Sequence, residues 1–131
     1  MYYESWGAGR PLVLLHGAIS TIEPSFGGVI PRVAQTRRLI AVEQQAHGRT
    51  ADIERPLTYT QMAEDTATLV RKLKIDHADF FGYSMGAGIA LELAVQYPQL
   101  VQRLIVASLA YRNDGFHPDT AAQLMEPVTG G

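Results

Sequence analysis

The sequence contains no cysteine, which removes a disulfide framework, a thiolate nucleophile and any cysteine-based zinc site, and permits a reducing compartment. It also lacks an excess of either charge. Its 11 basic and 13 acidic side chains leave a formal net charge of −2, so no field steers the chain toward nucleic acid or an anionic membrane. Long hydrophobic runs are missing too: none approaches the ~20 apolar residues that a membrane-spanning helix needs. The start, Met1-Tyr2-Tyr3-Glu4-Ser5, has no basic region ahead of an apolar one. These absences lead to the expectation of a cytoplasmic protein with neither nucleic acid nor membrane as partner. Disorder is excluded by what is present, since 47% of the residues are hydrophobic and only 18% are charged. A chain of 131 residues buries roughly two thirds of its unfolded surface, enough for one core. Residues 1–131 are therefore read as a single domain.

Apolar runs alternate with segments of helical periodicity, the pattern of an α/β fold. The runs are Pro11–Leu15, Arg38–Val42, Ala78–Gly82 and Arg103–Ala107, and Tyr2–Trp6 adds a fifth candidate strand. They are continuous rather than alternating, as strands covered on both faces should be. From Thr58 to Leu73, apolar residues at helical spacing predict a helix that opens on a capping box of Thr58 and Gln61. Met85 to Tyr97 reads as a second helix, stopped by Pro98. A third, around Gly28 to Thr36, is interrupted by Pro31, and a short last helix is expected from Pro118 to just before Pro127. Right-handed crossovers between such strands lead to an open, mostly parallel sheet covered by helices.

The chemistry concentrates at Gly82-Tyr83-Ser84-Met85-Gly86-Ala87-Gly88, where an apolar strand runs into an amphipathic helix. The pattern is G-x-S-x-G. A serine between two glycines on a strand-to-helix turn sits in a strained conformation, and a Cβ at either glycine would clash with the closely packed strand and helix. The turn lifts the Ser84 hydroxyl clear of the sheet and places it at a helix N-terminus, where the Met85 N–H is free to face a developing oxyanion. The plainer alternative is a glycine-rich packing turn in which Ser84 merely caps the helix. The segment His16-Gly17-Ala18-Ile19-Ser20 repeats the arrangement, a strand ending in a glycine turn.

Together these two turns resemble those of the α/β-hydrolase superfamily. The resemblance implies that the second oxyanion-hole donor is the backbone N–H of Ala18, beside that of Met85. It extends to Glu43-Gln44-Gln45-Ala46-His47-Gly48-Arg49-Thr50, similar to the family's acidic Gly-His-Gly-Arg-Ser/Thr loop, with Glu43 where Asp is usual and Ala46 where Gly is usual. It covers Tyr2 to about His117. Ser84 sets the chain apart from the family's aspartate-nucleophile members, such as epoxide hydrolases and haloalkane dehalogenases. The elbow resembles that of serine esterases, lactonases, perhydrolases and carbon–carbon bond hydrolases. The implied reaction is acyl transfer on a small ester-like substrate: Ser84 attacks the carbonyl, the Ala18 and Met85 N–H groups stabilise the oxyanion, and water releases the acyl enzyme.

The family order Ser, then Asp or Glu, then His would place the general base far beyond Ser84. The later strands that present it have no counterpart here, so by resemblance the chain is the N-terminal half to two thirds of a hydrolase, an incomplete unit expected to be inactive alone. The histidines that are present read otherwise. His16 and His47 belong to turns, His77 begins the serine strand at its far end, and His117 beside Pro118 fits a helix start. Asp114 reads as a turn residue in Asn113-Asp114-Gly115, with a triad acid as the alternative. The histidine spacings match no metal motif. Gly86-Ala87-Gly88 lacks the third glycine of a dinucleotide fingerprint, where Leu91 stands, and no Gly-Lys step forms a phosphate loop. No cofactor is expected. A sheet ending at Arg103–Ala107 would leave an apolar edge through which the chain is expected to self-associate or dock with a complementing chain. The alternative to an enzyme is a non-catalytic binding or assembly module on the same scaffold.

Overall fold

The computed structural model describes residues 1–110 and residue 118; the helix expected beyond Pro118, with Asp114 and His117, lies outside them. Its elements are strands β1 (Tyr2–Trp6) and β2 (Pro11–Leu15), helices α1 (Ile22–Phe26) and α2 (Ile30–Val33), strand β3 (Arg38–Glu43), helix α3 (Tyr59–Lys72), strand β4 (Ala78–Tyr83), helix α4 (Met85–Gln96) and strand β5 (Val101–Ala107). The strands form one sheet in the order β1-β3-β2-β4-β5. Only the β1–β3 pair is antiparallel, so the sheet is mostly parallel, as read from the sequence.

Alternation along each strand feeds two cores. Val13, Leu15, Ile40, Val42 and Phe80 pack against α3 and α4 through Met62, Val70, Ile89 and Leu93. On the other face Leu14, Leu39 and Ala41 meet Ile22, Phe26 and Ile30 of α1 and α2. Strands β2, β3 and β4 are thus covered on both sides, which is why they read as apolar runs; Asp79 is the buried exception in β4, where Arg10 and Arg37 pair with it at 3.0 and 2.8 Å. β5 departs from that expectation. It is an edge strand, begins two residues earlier than expected, and leaves Ile105 and Val106 exposed. Among the described residues no helix is long and apolar enough to cross a membrane.

The helices differ from expectation in two places. The segment around Gly28–Thr36 holds only the four-residue α2, with Pro31 inside its first turn, where a missing N–H costs nothing, and α1 precedes it unforeseen. The capping box at Thr58 is half made. The Thr58 hydroxyl accepts from the Gln61 N–H at 3.1 Å, while the Gln61 side chain turns away to Glu64, also at 3.1 Å.

β2 leaves toward α1 on one face and β4 toward α4 on the other. The C-terminal ends of these neighbouring strands therefore border a crevice at a topological switch point, where parallel α/β sheets bind ligands. Close packing of α4 makes that crevice narrow: a Cβ on Gly86 would fall 2.1 Å from the Leu15 carbonyl oxygen. An alanine in a helix is ordinarily more stable than a glycine by about 1 kcal/mol. Here Gly86→Ala is expected to reverse the sign and destabilise by about 1–3 kcal/mol or more in denaturant unfolding. Gly28→Ala, whose Cβ would meet nothing within 4 Å, is the matched control and should stabilise by about 0.4–1 kcal/mol.

Candidate active site

Ser84 joins β4 to α4 with φ 52° and ψ −113°, a conformation costly for any residue with a Cβ. The surroundings hold it there. Its N–H donates to the Ala107 carbonyl at 2.9 Å, and its own carbonyl accepts from Ala87 at 2.9 Å and Gly88 at 3.2 Å. Gly82 and Gly86 allow the reversal, since a Cβ on Gly82 would meet the Gly86 carbonyl at 2.1 Å. Among the described residues neither the Ser84 hydroxyl nor the Met85 N–H has a hydrogen-bond partner.

The His16-Gly17-Ala18 turn leaves β2 directly beside this elbow. A Cβ on Gly17 would lie 3.1 Å from the Tyr83 ring and 3.6 Å from the Ser84 Cβ. The Ala18 N–H likewise has no partner among the described residues. The three positions singled out in the sequence, Ser84, Met85 and Ala18, thus lie on adjacent strand ends.

His16 is wholly buried and fully used. Its Nδ1–H donates to the Gly17 carbonyl at 2.8 Å, and its Nε2 accepts from the Gln44 N–H at 3.1 Å, a pair of bonds that only the neutral Nδ1–H tautomer can make. Gln44 then donates through its side chain to Thr66 of α3 at 3.0 Å. Sequence reasoning missed Gln44, because nothing in a glutamine's neighbours announces that it will be buried. It also missed Tyr59, whose ring would stand 2.4 Å from a Cβ on Gly88.

In the loop after β3, Glu43 is buried and receives the Arg49 backbone N–H at 2.6 Å and its guanidinium at 2.9 Å. Gly48, at φ +55°, lies against that carboxylate: a Cβ there would sit 2.3 Å from it. Ala46 stands at φ 64°, so the departure from glycine puts a methyl group into a left-handed turn at a cost of about 1 kcal/mol. The His47 Nδ1–H donates to the Gln45 carbonyl at 2.8 Å, and His77 is exposed at the N-terminal end of β4, away from Ser84. Among the described residues no histidine is hydrogen-bonded to Ser84: His16 has both ring nitrogens engaged, and His47 has its Nδ1–H engaged and its Nε2 unpartnered. Among the described residues no three His, Asp or Glu side chains gather as metal ligands.

Two buried groups make the loop geometry sensitive to acid. Burial away from water holds the His16 imidazole below its ordinary value of 6.5. The hydrogen bond from the Arg49 side chain holds the Glu43 carboxyl below 4.5 despite its burial. For both, the unfolded chain takes up a proton before the folded one, so stability is full at higher pH and falls on acidification. The unfolding midpoint is expected to drop in two stages, below about 6.5 and below about 4.5. His16→Gln should remove the upper stage and Glu43→Gln the lower, as read by urea titrations across pH.

Comparison with known proteins bears on this geometry. The sequence pattern of the alpha/beta hydrolase fold family matches residues 10–128. The chain is 34% identical over 109 residues to 2-hydroxymuconate semialdehyde hydrolase of Pseudomonas sp. strain CF600, covering 79% of this chain and 38% of that protein. It superposes on Est816, described as an N-acyl homoserine lactone degrading enzyme, with a TM-score of 0.83 and 29% identity, covering 95% of this chain and 48% of that one. An esterase from Exiguobacterium antarcticum gives a TM-score of 0.78 and 31% identity, covering 84% of this chain and 41% of its own. The chain spans 30–38% of the length of the curated relatives it matches and 36–48% of the solved structures. By the match of the family pattern to nearly its whole length, the chain belongs to the alpha/beta hydrolase fold family.

Proposed function

We propose that this chain carries the nucleophile and oxyanion hole of a serine hydrolase acting on an ester-like carbonyl. The observation that carries the reading is Ser84, left-handed at the end of β4 with its hydroxyl and the Met85 N–H unpartnered among the described residues. In this reading the Ser84 Oγ attacks the carbonyl carbon and its proton passes to a base. The oxyanion is held by the N–H groups of Ala18 and Met85, collapse expels the leaving group, and water hydrolyses the acyl enzyme. Relatives named as an esterase, a lactone-degrading enzyme and a semialdehyde hydrolase suit such chemistry. The substrate is a small ester, lactone or activated carbonyl compound, and the location is the cytoplasm suggested by the cysteine-free sequence.

A second reading, a non-catalytic binding or assembly module, is favoured by one observation: among the described residues no histidine is hydrogen-bonded to the Ser84 hydroxyl, and His77 stands at the opposite end of β4. A fluorophosphonate probe with mass-spectrometric mapping separates the two. A serine hydroxyl without a base is a weak nucleophile, here held beside N–H donors that favour the adduct, so slow adduct formation is expected at Ser84 and none in Ser84→Ala. Equal background in both, in a chain that still unfolds cooperatively, would leave the binding module.

A further inference from the structure

Among the described residues, five non-glycine positions have φ between 52° and 64°: Ile19, Ala46, Lys74, Ser84 and Ser108. Lys74 ends α3 in the ordinary way, its N–H bonding to Arg71 and that of Ile75 to Val70. The other four each follow the C-terminal end of a parallel strand: Ile19 after β2, Ala46 after β3, Ser84 after β4 and Ser108 after β5. Backbone strain in this sheet is therefore gathered on the rim that holds the crevice. Ser84 is explained by the elbow, and Ala46 returns the His47 N–H to Gln44 at 3.0 Å.

Ile19 has no such account. A β-branched side chain is the one least suited to the left-handed region. Nor does folding gain from it, because the residue is 97% exposed. Glycine would serve the turn with less strain. What isoleucine adds is apolar surface, one residue beyond Ala18 and two beyond Gly17, where a Cβ would lie 3.6 Å from that of Ser84. One half-exposed ring borders the Gly17 turn, that of Tyr83, while a second, that of Tyr59, packs against Gly88 in the first turn of α4.

We propose that Ile19 is a specificity-determining residue that receives the apolar chain of the substrate, with Tyr83 beside the Gly17 turn completing the apolar rim. This rests on the reading of Ser84 and Ala18 as the acyl-transfer site and narrows the substrate to carbonyl compounds bearing an alkyl or acyl tail.

The test uses the full chain with isoleucine δ1-methyl groups labelled for NMR, the Ile19 signal being assigned by its loss in Ile19→Gly. The probes are 2-octanone, a tailed carbonyl compound that cannot be hydrolysed, and acetone, its tailless counterpart. Octanone is expected to shift the Ile19 methyl in a saturable way while acetone leaves it unmoved. Ile19→Gly, relieved of strain, should melt at a higher temperature yet bind octanone about tenfold more weakly, as followed at the tyrosine ring protons. An unmoved Ile19 methyl, or undiminished octanone binding in Ile19→Gly, would overturn the proposal. A moved methyl with no fluorophosphonate adduct at Ser84 would instead uphold the contact and remove the nucleophile.

Discussion

The first turn of α4 lies so close to the end of β2 that the α-carbon of Gly86 has no room for a methyl group beside the Leu15 and His16 carbonyls. Because the helix must begin there, the chain leaving β4 has a single residue in which to reverse. Gly82 gives way on the strand side, and Ser84 takes the left-handed conformation. Strain of this kind costs about 1–3 kcal/mol and persists only where neighbours over-determine it. Here they do: β5 accepts the Ser84 N–H through Ala107, and α4 bonds back to the Ser84 carbonyl through Ala87 and Gly88. The same reversal leaves the first N–H of α4 with no acceptor, as helix geometry requires. An exposed hydroxyl and an unpaired donor are thus one consequence of one packing constraint.

The neighbouring turn is held by a different device. From the Gly17 carbonyl a line of hydrogen bonds runs through both nitrogens of His16 to the Gln44 backbone, and from the Gln44 side chain through Thr66 to the Met62 carbonyl. The line crosses from β2 to β3 and ends inside α3. Buried polar chains of this sort fix geometry because each broken link strands a polar group away from water. Thr66 spends its hydroxyl proton on its own helix, four residues back, and so presents only a lone pair to Gln44. Position and tautomer of His16 are set together, and with them the direction of the Ala18 N–H.

Much of this was legible in the sequence, for physical reasons that can be named. β2, β3 and β4 are buried on both faces, so their central residues are apolar; the exception, Asp79 near the start of β4, is buried and paired with Arg10 and Arg37. The elbow was visible because glycine is the only residue that fits beside a carbonyl at contact distance, and two such glycines flank Ser84. β5 was legible as the edge of the sheet, but its apolar residues read as covered on both faces although Ile105 and Val106 stand in the open. The region of α1 and α2 misled because helices of five and four residues are too short to show periodicity. Ala46 was marked only through the resemblance, which puts glycine there; the left-handed turns at Ile19 and Ser108 were silent. Sequence announces positive φ through glycine, and none stands at those positions.

The question of the proton acceptor reduces to occupancy of nitrogens. A general base must offer a free lone pair within about 3 Å of the hydroxyl it relieves. The only lone pair of neutral His16 is already taken by the Gln44 N–H, and protonating it would both break that bond and place a charge in a buried site. His47 commits its Nδ1–H to a backbone carbonyl two residues away and leans its ring toward His16, 5.1 Å between centroids, while Ser84 belongs to the neighbouring turns of β4 and β2. His16 is therefore a fixed part of the turn, whereas His47 keeps its Nε2 lone pair unpartnered among the described residues. At the C-terminal end of β4 the Ser84 hydroxyl caps no helix N–H and has no hydrogen-bond partner among the described residues, so the packing that strains the elbow holds its backbone while leaving the side chain unengaged.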